Sequence, residues 1–335
     1  MACPVSLVAV PTREAHSHAS AAEVDFEPHR RELTGYCYRM LGSSFEAEDA
    51  VQETMMRAWR GFDGFQGRAT LRSWLFRVAT NVCLDMLRGS QRRARPMDLG
   101  PSSSADTVLG PGLPESSWIQ PIPDARVLPH DGDPAELAQA RETIRLAFVA
   151  ALQHLAPRQR AVLILRDVLR WQASEVAQLL DTSVASVNSA LQRARARLAS
   201  VDPDSTDPAS VDATQQDLLD RYVAAFERYD IAALVTLLHD DVKFSMPPYP
   251  LWLRGPREVR RWLLGPGSGC RSSRLVATAA NGSAAFGSYR PAGPAVHEPF
   301  ALQVIEVTGA RITGWHNFLG PELFPVFDLP ASLVS

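Results

Sequence analysis

Apolar residues recur at helical spacing in three early stretches of the chain, Arg30 to Leu41, Glu46 to Phe62 and Leu71 to Leu87. Short segments rich in glycine and serine interrupt the pattern between them. The pattern predicts a three-helix unit over residues 27–95. Residues 1–26 carry no such period, and we expect them to form a disordered N-terminal tail.

The helical period returns at Ala135 to Leu155, Arg158 to Asp167 and Ser174 to Leu198, which predicts a second helical unit over residues 135–200. Residues 96–134, between the two units, are rich in Pro, Gly, Ser and Asp and show no sustained period. This composition predicts an acidic, flexible linker. Fully extended, it could reach about 130 Å, so the two helical units need not touch.

A second Pro- and Asp-rich linker is predicted over residues 201–213. Residues 214–330 then combine helical periods with segments that alternate between apolar and polar residues, such as Val242 to Met246 and Phe300 to Val307. The predicted fold class is therefore multidomain, with two all-α helical domains followed by one α+β domain.

Composition excludes several classes of protein. No apolar run is long enough to span a membrane, and the N-terminus lacks a signal pattern, so we expect a soluble, cytoplasmic protein with no membrane partner. The four cysteines are scattered and form no C-x-x-C pair. We therefore predict no metal site, no disulfide framework and no cofactor.

The net charge of -3 hides a strong segregation of charge along the chain. Residues 68–95 contain seven arginines and one aspartate, and residues 136–200 contain nine arginines and five acids. Residues 96–135 contain one arginine and six acids. Basic clusters on helices are typical of surfaces that contact phosphates, although solvated helix faces give the same counts.

The segment Trp171 to Leu198 has the pattern of a helix-turn-helix, with the turn at residues 181–183. The second helix carries one apolar stripe, formed by Val187, Leu191, Ala194 and Leu198. Side chains that can hydrogen-bond base edges or phosphates then face outward, namely Ser186, Ser189, Gln192 and Arg193, with Arg195 and Arg197 beside them. The alternative is a helical hairpin with an arginine-rich solvent face.

Two further helix faces carry candidate chemistry. Beside an apolar stripe, the segment from Thr70 to Arg95 carries a stripe that suits melted single-stranded DNA, consisting of Trp74, Arg77, Asn81, Asp85 and Arg88. Trp74 as an ordinary core aromatic is the alternative. The preceding helix has an acidic face with Glu46, Asp49 and Glu53, which indicates a basic protein partner or simply a solvated face.

Three motifs in this order resemble the extracytoplasmic-function (ECF) sigma factors of the sigma-70 family. Ala47 to Trp59 reads A-E-D-A-V-Q-E-T-M-M-R-A-W and is similar to the family's A-E-D-L-V-Q-E-T-F-L-R-A-W. Leu71 to Asn81 resembles the minus-ten motif F-R-x-W-L-x-x-I-A-x-N. Leu155 to Leu163, with the helix-turn-helix, resembles the region that binds the minus-thirty-five element.

The resemblance implies roles for individual residues. The residues implied to dock on the clamp of the largest polymerase subunit are Asp49, Gln52, Glu53, Arg57 and Trp59. DNA binding falls to Arg68, Arg72, Trp74, Arg77, Asn81, Asp85 and Arg88 in sigma region 2, and to Ser186, Asn188, Ser189, Gln192, Arg193 and Arg195 in sigma region 4. Asn188 and Ala190 stand where the family commonly has Lys and Arg, which predicts weaker minus-thirty-five binding or altered promoter choice.

The partners implied are core RNA polymerase, at its clamp and flap, and promoter DNA in duplex and melted form. The acidic linker would occupy the RNA path inside polymerase. An anti-sigma factor is compatible with the resemblance but is not implied by it.

The last unit resembles a SnoaL-like domain of the NTF2-like fold, a cone of curved antiparallel sheet and helices. The resemblance implies a ligand pocket inside the cone, for which the candidate residues are Phe244, Met246, Trp252, Trp315 and His316. His316 is the one candidate for catalysis, and a structural histidine is the alternative. In sigma factors with this extension, the resemblance implies that the domain regulates the other two.

Three functions remain open at this point. The first is a non-enzymatic sigma factor. The second is a ligand-sensing regulator with a helix-turn-helix, which leaves the acidic helix face unexplained. The third is an enzyme of the ketosteroid-isomerase or cyclase type, whose N-terminal half only targets it. The sequence gives neither the promoter, the inducing signal nor a pocket ligand.

Overall fold

The computed structural model describes residues 25–65, 67, 69–129, 131–201 and 213–334. It begins with three mutually packed helices, α1 Arg30–Leu41, α2 Ser44–Gly61 and α3 Leu71–Met86. Ser43 and Thr70 start α2 and α3, because their hydroxyls accept the free backbone N–H groups of Glu46 and Ser73. The predicted three-helix unit is therefore present, and its apolar stripes form its core.

The segment between the two helical units is packed, with one short helix, α4 Asp124–Val127. Trp118, Ile119 and Ile122 are buried, and Tyr38 of α1 donates its hydroxyl to the carbonyl of Gln120 at 2.8 Å. This corrects the expectation of an acidic, flexible linker over residues 96–134, across which the two helical units need not touch. Composition alone indicated a mobile chain, but long-range contacts fix this one.

The second helical unit contains five helices and one π-helical turn. They are α5 Pro134–Glu142, α6 Leu146–Leu152, α7 Pro157–Leu163, the π turn Ile164–Val168, α8 Ala173–Leu179 and α9 Val184–Val201. Asp181 adopts a φ of 50° in the turn between α8 and α9. Val187, Leu191 and Ala194 are buried, as the predicted apolar stripe requires.

The two helical units touch through buried arginines. Arg160 of α7 donates to the carbonyl of Met40 on α1 and to Oε1 of Gln153, the latter at 2.6 Å. Arg39 of α1 donates to the backbone carbonyl and the hydroxyl of Thr143 at 3.0 and 2.7 Å. These bonds hold the two helical units in one closed arrangement.

The C-terminal unit wraps helices around a curved sheet. Its helices are α10 Ala213–Glu227, α11 Ile231–Leu237, α12 Pro256–Leu264 and α13 Leu323–Val326. Its strands are β1 Leu238–Ser245, β2 Trp252–Arg254, β3 Arg274–Ala280, β4 Ser283–Gly293, β5 Val296–Thr308, β6 Arg311–Leu319 and β7 Leu333–Val334. The sheet order is β2-β1-β6-β5-β4-β3, with β7 on β5, and β1 and β6 are the parallel pair.

The two faces of this sheet belong to different cores. Trp315 packs on the inner face against Tyr222 and Phe226 of α10, with ring centroids 5.3 and 5.9 Å away. Leu302 and Val304 lie on the outer face, in the same apolar cluster as the helical units. The outer face is thus buried against the rest of the protein.

The β3–β4 turn joins all of these parts. Asn281, which is 1% exposed, donates its side-chain amide to the hydroxyl of Tyr38 at 2.7 Å and to the carbonyl of Ile144 at 2.6 Å. Its side-chain oxygen accepts the N–H of Ile122 at 3.0 Å, and its own N–H donates to the carbonyl of Ile122. One side chain therefore ties the C-terminal domain to both helical units and to the segment between them.

Asp124 makes this junction sensitive to pH. Its carboxylate accepts the N–H of Gly282 at 2.8 Å, and burial raises the pKa of Asp124 from 3.8 to about 6. Since the closed structure favours the protonated form, we expect its stability to fall as pH rises from about 4 through 6.

We predict that Asp124→Asn, which keeps an acceptor for Gly282 without the charge, raises the melting temperature at pH 8 by about 2–4 °C. The melting temperature should also depend less on pH between 4 and 6 than that of the wild type, as measured by scanning calorimetry. A lower melting temperature for the variant at pH 8 would contradict this assignment.

Candidate polymerase and nucleic-acid interfaces

The exposed face of α2 carries the predicted polymerase-docking residues. Asp49, Gln52, Arg57 and Trp59 are exposed, and Glu53 is half-buried and pairs with Arg57 at 2.6 Å. Trp59 is 59% exposed, which is unusual for so large an apolar side chain. Exposed acids beside an exposed indole form a surface suited to a partner that is both basic and apolar.

Sequence reasoning missed Met56, which is 47% exposed on the same face. A signal was available, because Met56 falls outside the buried stripe of α2, yet it is apolar. With Trp59, it gives the docking surface a continuous apolar part.

The exposed face of α3 carries Arg77, Asn81 and Asp85 in one row, and the exposed Arg88 follows just beyond the end of the helix. Asp85 lies 3.3 Å from Arg88 and 3.6 Å from Arg57 of α2, so the two predicted surfaces meet at this carboxylate. The row leaves guanidinium and amide groups available for phosphates and bases.

Trp74 is half-buried at the start of α3. Its ring packs on Phe65 and Phe62, at centroid distances of 5.2 and 6.1 Å. The structure therefore brings the predicted stacking residue into an aromatic cluster beside the row on α3, where it remains partly exposed. Arg68, which was predicted to bind DNA nearby, lies outside the described residues.

Arg72 is engaged inside the protein, unlike the rest of the α3 row. Its guanidinium forms an ion pair with Glu32 and lies 4.8 Å from the ring centroid of Trp171, at the entrance to the helix-turn-helix. Phe76 also packs on Trp171 at 5.1 Å. A predicted minus-ten residue is thus occupied by a contact between the two helical units.

The candidate recognition helix α9 exposes all six of its predicted DNA-binding residues, Ser186, Asn188, Ser189, Gln192, Arg193 and Arg195. Arg195 also pairs with Asp167 at 2.7 Å, which aligns it along the helix surface. The helix-turn-helix is therefore formed and open to solvent on the side that would enter a major groove.

The five predicted pocket residues do not share one pocket. Phe244, Met246 and Trp315 belong to the inner core, whereas His316 and Trp252 lie in register with Ser245 on the opposite face of the sheet. The physical reason is the period of two along a strand, which sends the adjacent Trp315 and His316 to opposite faces.

His316 lies on the buried outer face of the sheet and is itself buried. Its Nδ1 lies 2.8 Å from the hydroxyl of Ser245, and its Nε2 lies 3.5 Å from the carboxylate of Glu306. Burial alone would raise the pKa of Glu306, but the hydrogen bond and charge of His316 outweigh it and bring that pKa to about 2. Both ring nitrogens thus face protein groups.

Comparison with known proteins identifies the three units. The family model for sigma-70 region 2 matches residues 26–93, that for sigma-70 region 4 matches residues 145–198, and that for a SnoaL-like domain matches residues 219–314. The ECF RNA polymerase sigma factor SigG of Mycobacterium tuberculosis is 47% identical over 313 residues, covering 92% of this chain and 83% of SigG. This chain belongs to the ECF sigma factors.

Two further comparisons agree with this membership. SigJ of Mycobacterium tuberculosis, another ECF sigma factor, is 32% identical over 253 residues, which cover 72% of each chain. The crystal structure of SigJ aligns with a TM-score of 0.58 at 24% identity, covering 91% of this sigma factor and 99% of SigJ. This likeness shows the fold, helical domains followed by a SnoaL-like domain.

The predicted family and fold class are therefore confirmed. This sigma factor is a promoter-recognition subunit that works with core RNA polymerase and promoter DNA. Among its described residues, no helix is both long and apolar enough to cross a membrane.

We predict that Trp74→Ala impairs promoter opening more than duplex binding, because a base stacked on an aromatic ring is worth about 1–3 kcal/mol. Opening can be followed by the fluorescence of 2-aminopurine in the minus-ten element, and duplex binding by anisotropy. Trp74→Phe, which keeps an aromatic ring, is the control, and its promoter opening should lie between that of the wild type and that of Trp74→Ala. Equal losses in both assays, with a large drop in melting temperature, would instead indicate a purely structural residue.

Proposed function

We propose that this sigma factor is stored in the closed arrangement and that core polymerase and promoter DNA open it. In this proposal, the exposed face of α2 binds the polymerase clamp, α3 with Trp74 handles the opened minus-ten strand, and α9 reads the minus-thirty-five element. The SnoaL-like domain acts as the clasp that keeps the two sigma regions together.

Promoter geometry supports the need for opening. The two promoter elements lie about 25 base pairs apart, or about 85 Å of duplex. In the closed arrangement α3 touches Trp171 beside the helix-turn-helix, and α3 itself, with 16 residues, is only about 24 Å long. Regions in such contact cannot occupy both elements, whereas residues 96–134, once released, are long enough to connect them.

The hydrogen bonds of Asn281 support the proposal that the SnoaL-like domain holds the two sigma regions together. They reach sigma region 2, sigma region 4 and the segment between them from a single turn. A domain without a regulatory role has no need of buried polar bonds to both DNA-binding units, because an apolar interface would be enough for packing.

The same domain is proposed to have no enzymatic activity. Aromatic side chains fill the inside of the cone, namely Tyr222, Phe226, Phe244, Phe286 and Trp315. His316, the candidate for catalysis, faces the other way and is hydrogen-bonded to protein groups. Since polymerase and promoters are its partners, we place the site of action in the cytoplasm.

We predict that Asp49→Arg combined with Glu53→Arg weakens binding to core polymerase roughly tenfold or more, because like charges then face a basic partner. Binding can be measured by anisotropy with labelled protein. The matched control reverses two exposed acids of the SnoaL-like domain, Asp240→Arg with Glu298→Arg, and should bind core normally. Unchanged affinity in the α2 variant would remove the docking assignment.

We predict that Asn281→Gly opens the protein, because it keeps the turn conformation, with φ of 55°, but removes the side-chain bonds. The closed state should lose about 2 kcal/mol or more. Small-angle scattering should then show a larger radius of gyration, and half-maximal transcription should require less sigma factor.

The control for this variant is Asp328→Gly, an exposed residue with φ of 53° in the same domain. It makes the same backbone change without touching the sigma regions, so both measurements should match the wild type. If Asn281→Gly behaves like this control, the clasp role is wrong.

A further inference from the structure

A cavity of about 1300 Å³ lies at the seam between the two sigma regions. Its walls come from α1 and α2 of region 2, from α4, from α5, and from the chain just after the π-helical turn. The volume exceeds that of typical drug-sized sites, about 300–1,000 Å³, and it would admit a molecule as large as a nucleotide.

Arginines without acidic partners dominate the lining. Among the described residues, no ion pair involves any of the four, which are Arg31, Arg39, Arg126 and Arg170. The remaining lining arginine, Arg30, pairs with both Glu27 and Glu48, and Glu32 pairs with Arg72 outside the cavity. The lining thus holds five arginines against four glutamates, one of which is compensated from outside, so a small excess of positive charge remains on the arginines that have no acidic partner.

Arg39 shows that this charge is built into the fold. Its side chain is 5% exposed, and all three of its hydrogen bonds go to neutral oxygens, those of Gly35 and Thr143. Burial lowers the pKa of Arg39 to about 10. A Cβ atom on Gly35 would lie 2.9 Å from Nη1 of Arg39, so a glycine at this position makes room for the guanidinium.

A buried cation without a counter-anion is costly, and a bound anion would remove that cost. Guanidinium groups pair bidentately with phosphate oxygens. The lining also contains apolar side chains, those of Val127, Val168 and Leu169. We propose that this cavity binds a phosphorylated small molecule of nucleotide size, with its phosphates on the arginines and its organic part against these apolar side chains.

Such a ligand would act on the closed state, a consequence that rests on the proposed function. The cavity needs both sigma regions in contact, so any molecule bound there stabilises their contact by mass action. Gln52 and Glu48 of the docking helix also line it. The ligand and polymerase would therefore oppose each other.

The test uses the full chain with GTP and inorganic tripolyphosphate as probes, at constant ionic strength. We expect at least one probe to bind with a micromolar dissociation constant by titration calorimetry and to raise the melting temperature. Arg31→Ser with Arg126→Ser should weaken this binding at least about tenfold, since the variant loses two guanidinium groups that can form charge-assisted hydrogen bonds with the phosphates. Arg228→Ser with Arg260→Ser, exposed arginines of the SnoaL-like domain, is the matched control and should bind normally.

Absence of binding below millimolar concentration for both probes, or equal weakening in the control, would overturn the proposal. Affinity for core polymerase, measured without nucleotides, separates this outcome from a failure of the sigma assignment. The Arg31 and Arg126 variant should bind core as the wild type does, because neither residue belongs to the docking face.

Discussion

The position of the SnoaL-like domain on the rest of the protein depends on one requirement, that the buried amide of Asn281 be fully hydrogen-bonded. A buried polar group without partners costs about 1–3 kcal/mol, so the turn fits where all its partners meet. Those partners are Tyr38, Ile144 and Ile122, from three separate parts of the chain. Satisfying one side chain therefore fixes region 2, region 4 and the segment between them relative to the SnoaL-like sheet. The apolar outer face of that sheet adds burial, but a nonpolar surface alone would tolerate sliding.

Some side chains that are predicted to contact promoter DNA are bound to other protein groups in the closed arrangement. In the proposed function, Arg72 must leave Glu32 and Trp171 before it can reach DNA, so the closed arrangement keeps this predicted DNA-binding residue occupied. The surface on α2 is different, because Trp59 remains exposed throughout. Access to polymerase is thus available first, and access to spaced promoter elements comes later. The proposed order, polymerase binding before promoter binding, follows because the α2 surface is exposed and Arg72 is covered.

Helical periodicity predicted the buried positions well, since the apolar stripe on α9 and the cores of both sigma regions lie where the pattern places them. It failed where contacts are distant in sequence. Trp118 and Ile119 sit in a Pro- and Gly-rich stretch whose composition indicates mobility, yet they are buried. The pocket prediction joined Trp315 to His316 because they are adjacent, although neighbours in a strand face opposite ways. The residues next to Asn281 in the sequence do not indicate its role, because its hydrogen-bond partners come close to it only in the folded chain.

The bond between Asn281 and Tyr38 spans 243 residues, which has a consequence during synthesis. At a ribosomal rate of about 5–20 residues per second, region 2 emerges roughly 12–50 s before the turn that closes it. A nascent chain therefore exposes α2, the proposed polymerase-docking helix, before the turn that carries Asn281 has been synthesised. The newborn protein passes through an unclasped period set by translation speed, so slow translation of the last third of the message would prolong the time in which polymerase can capture it.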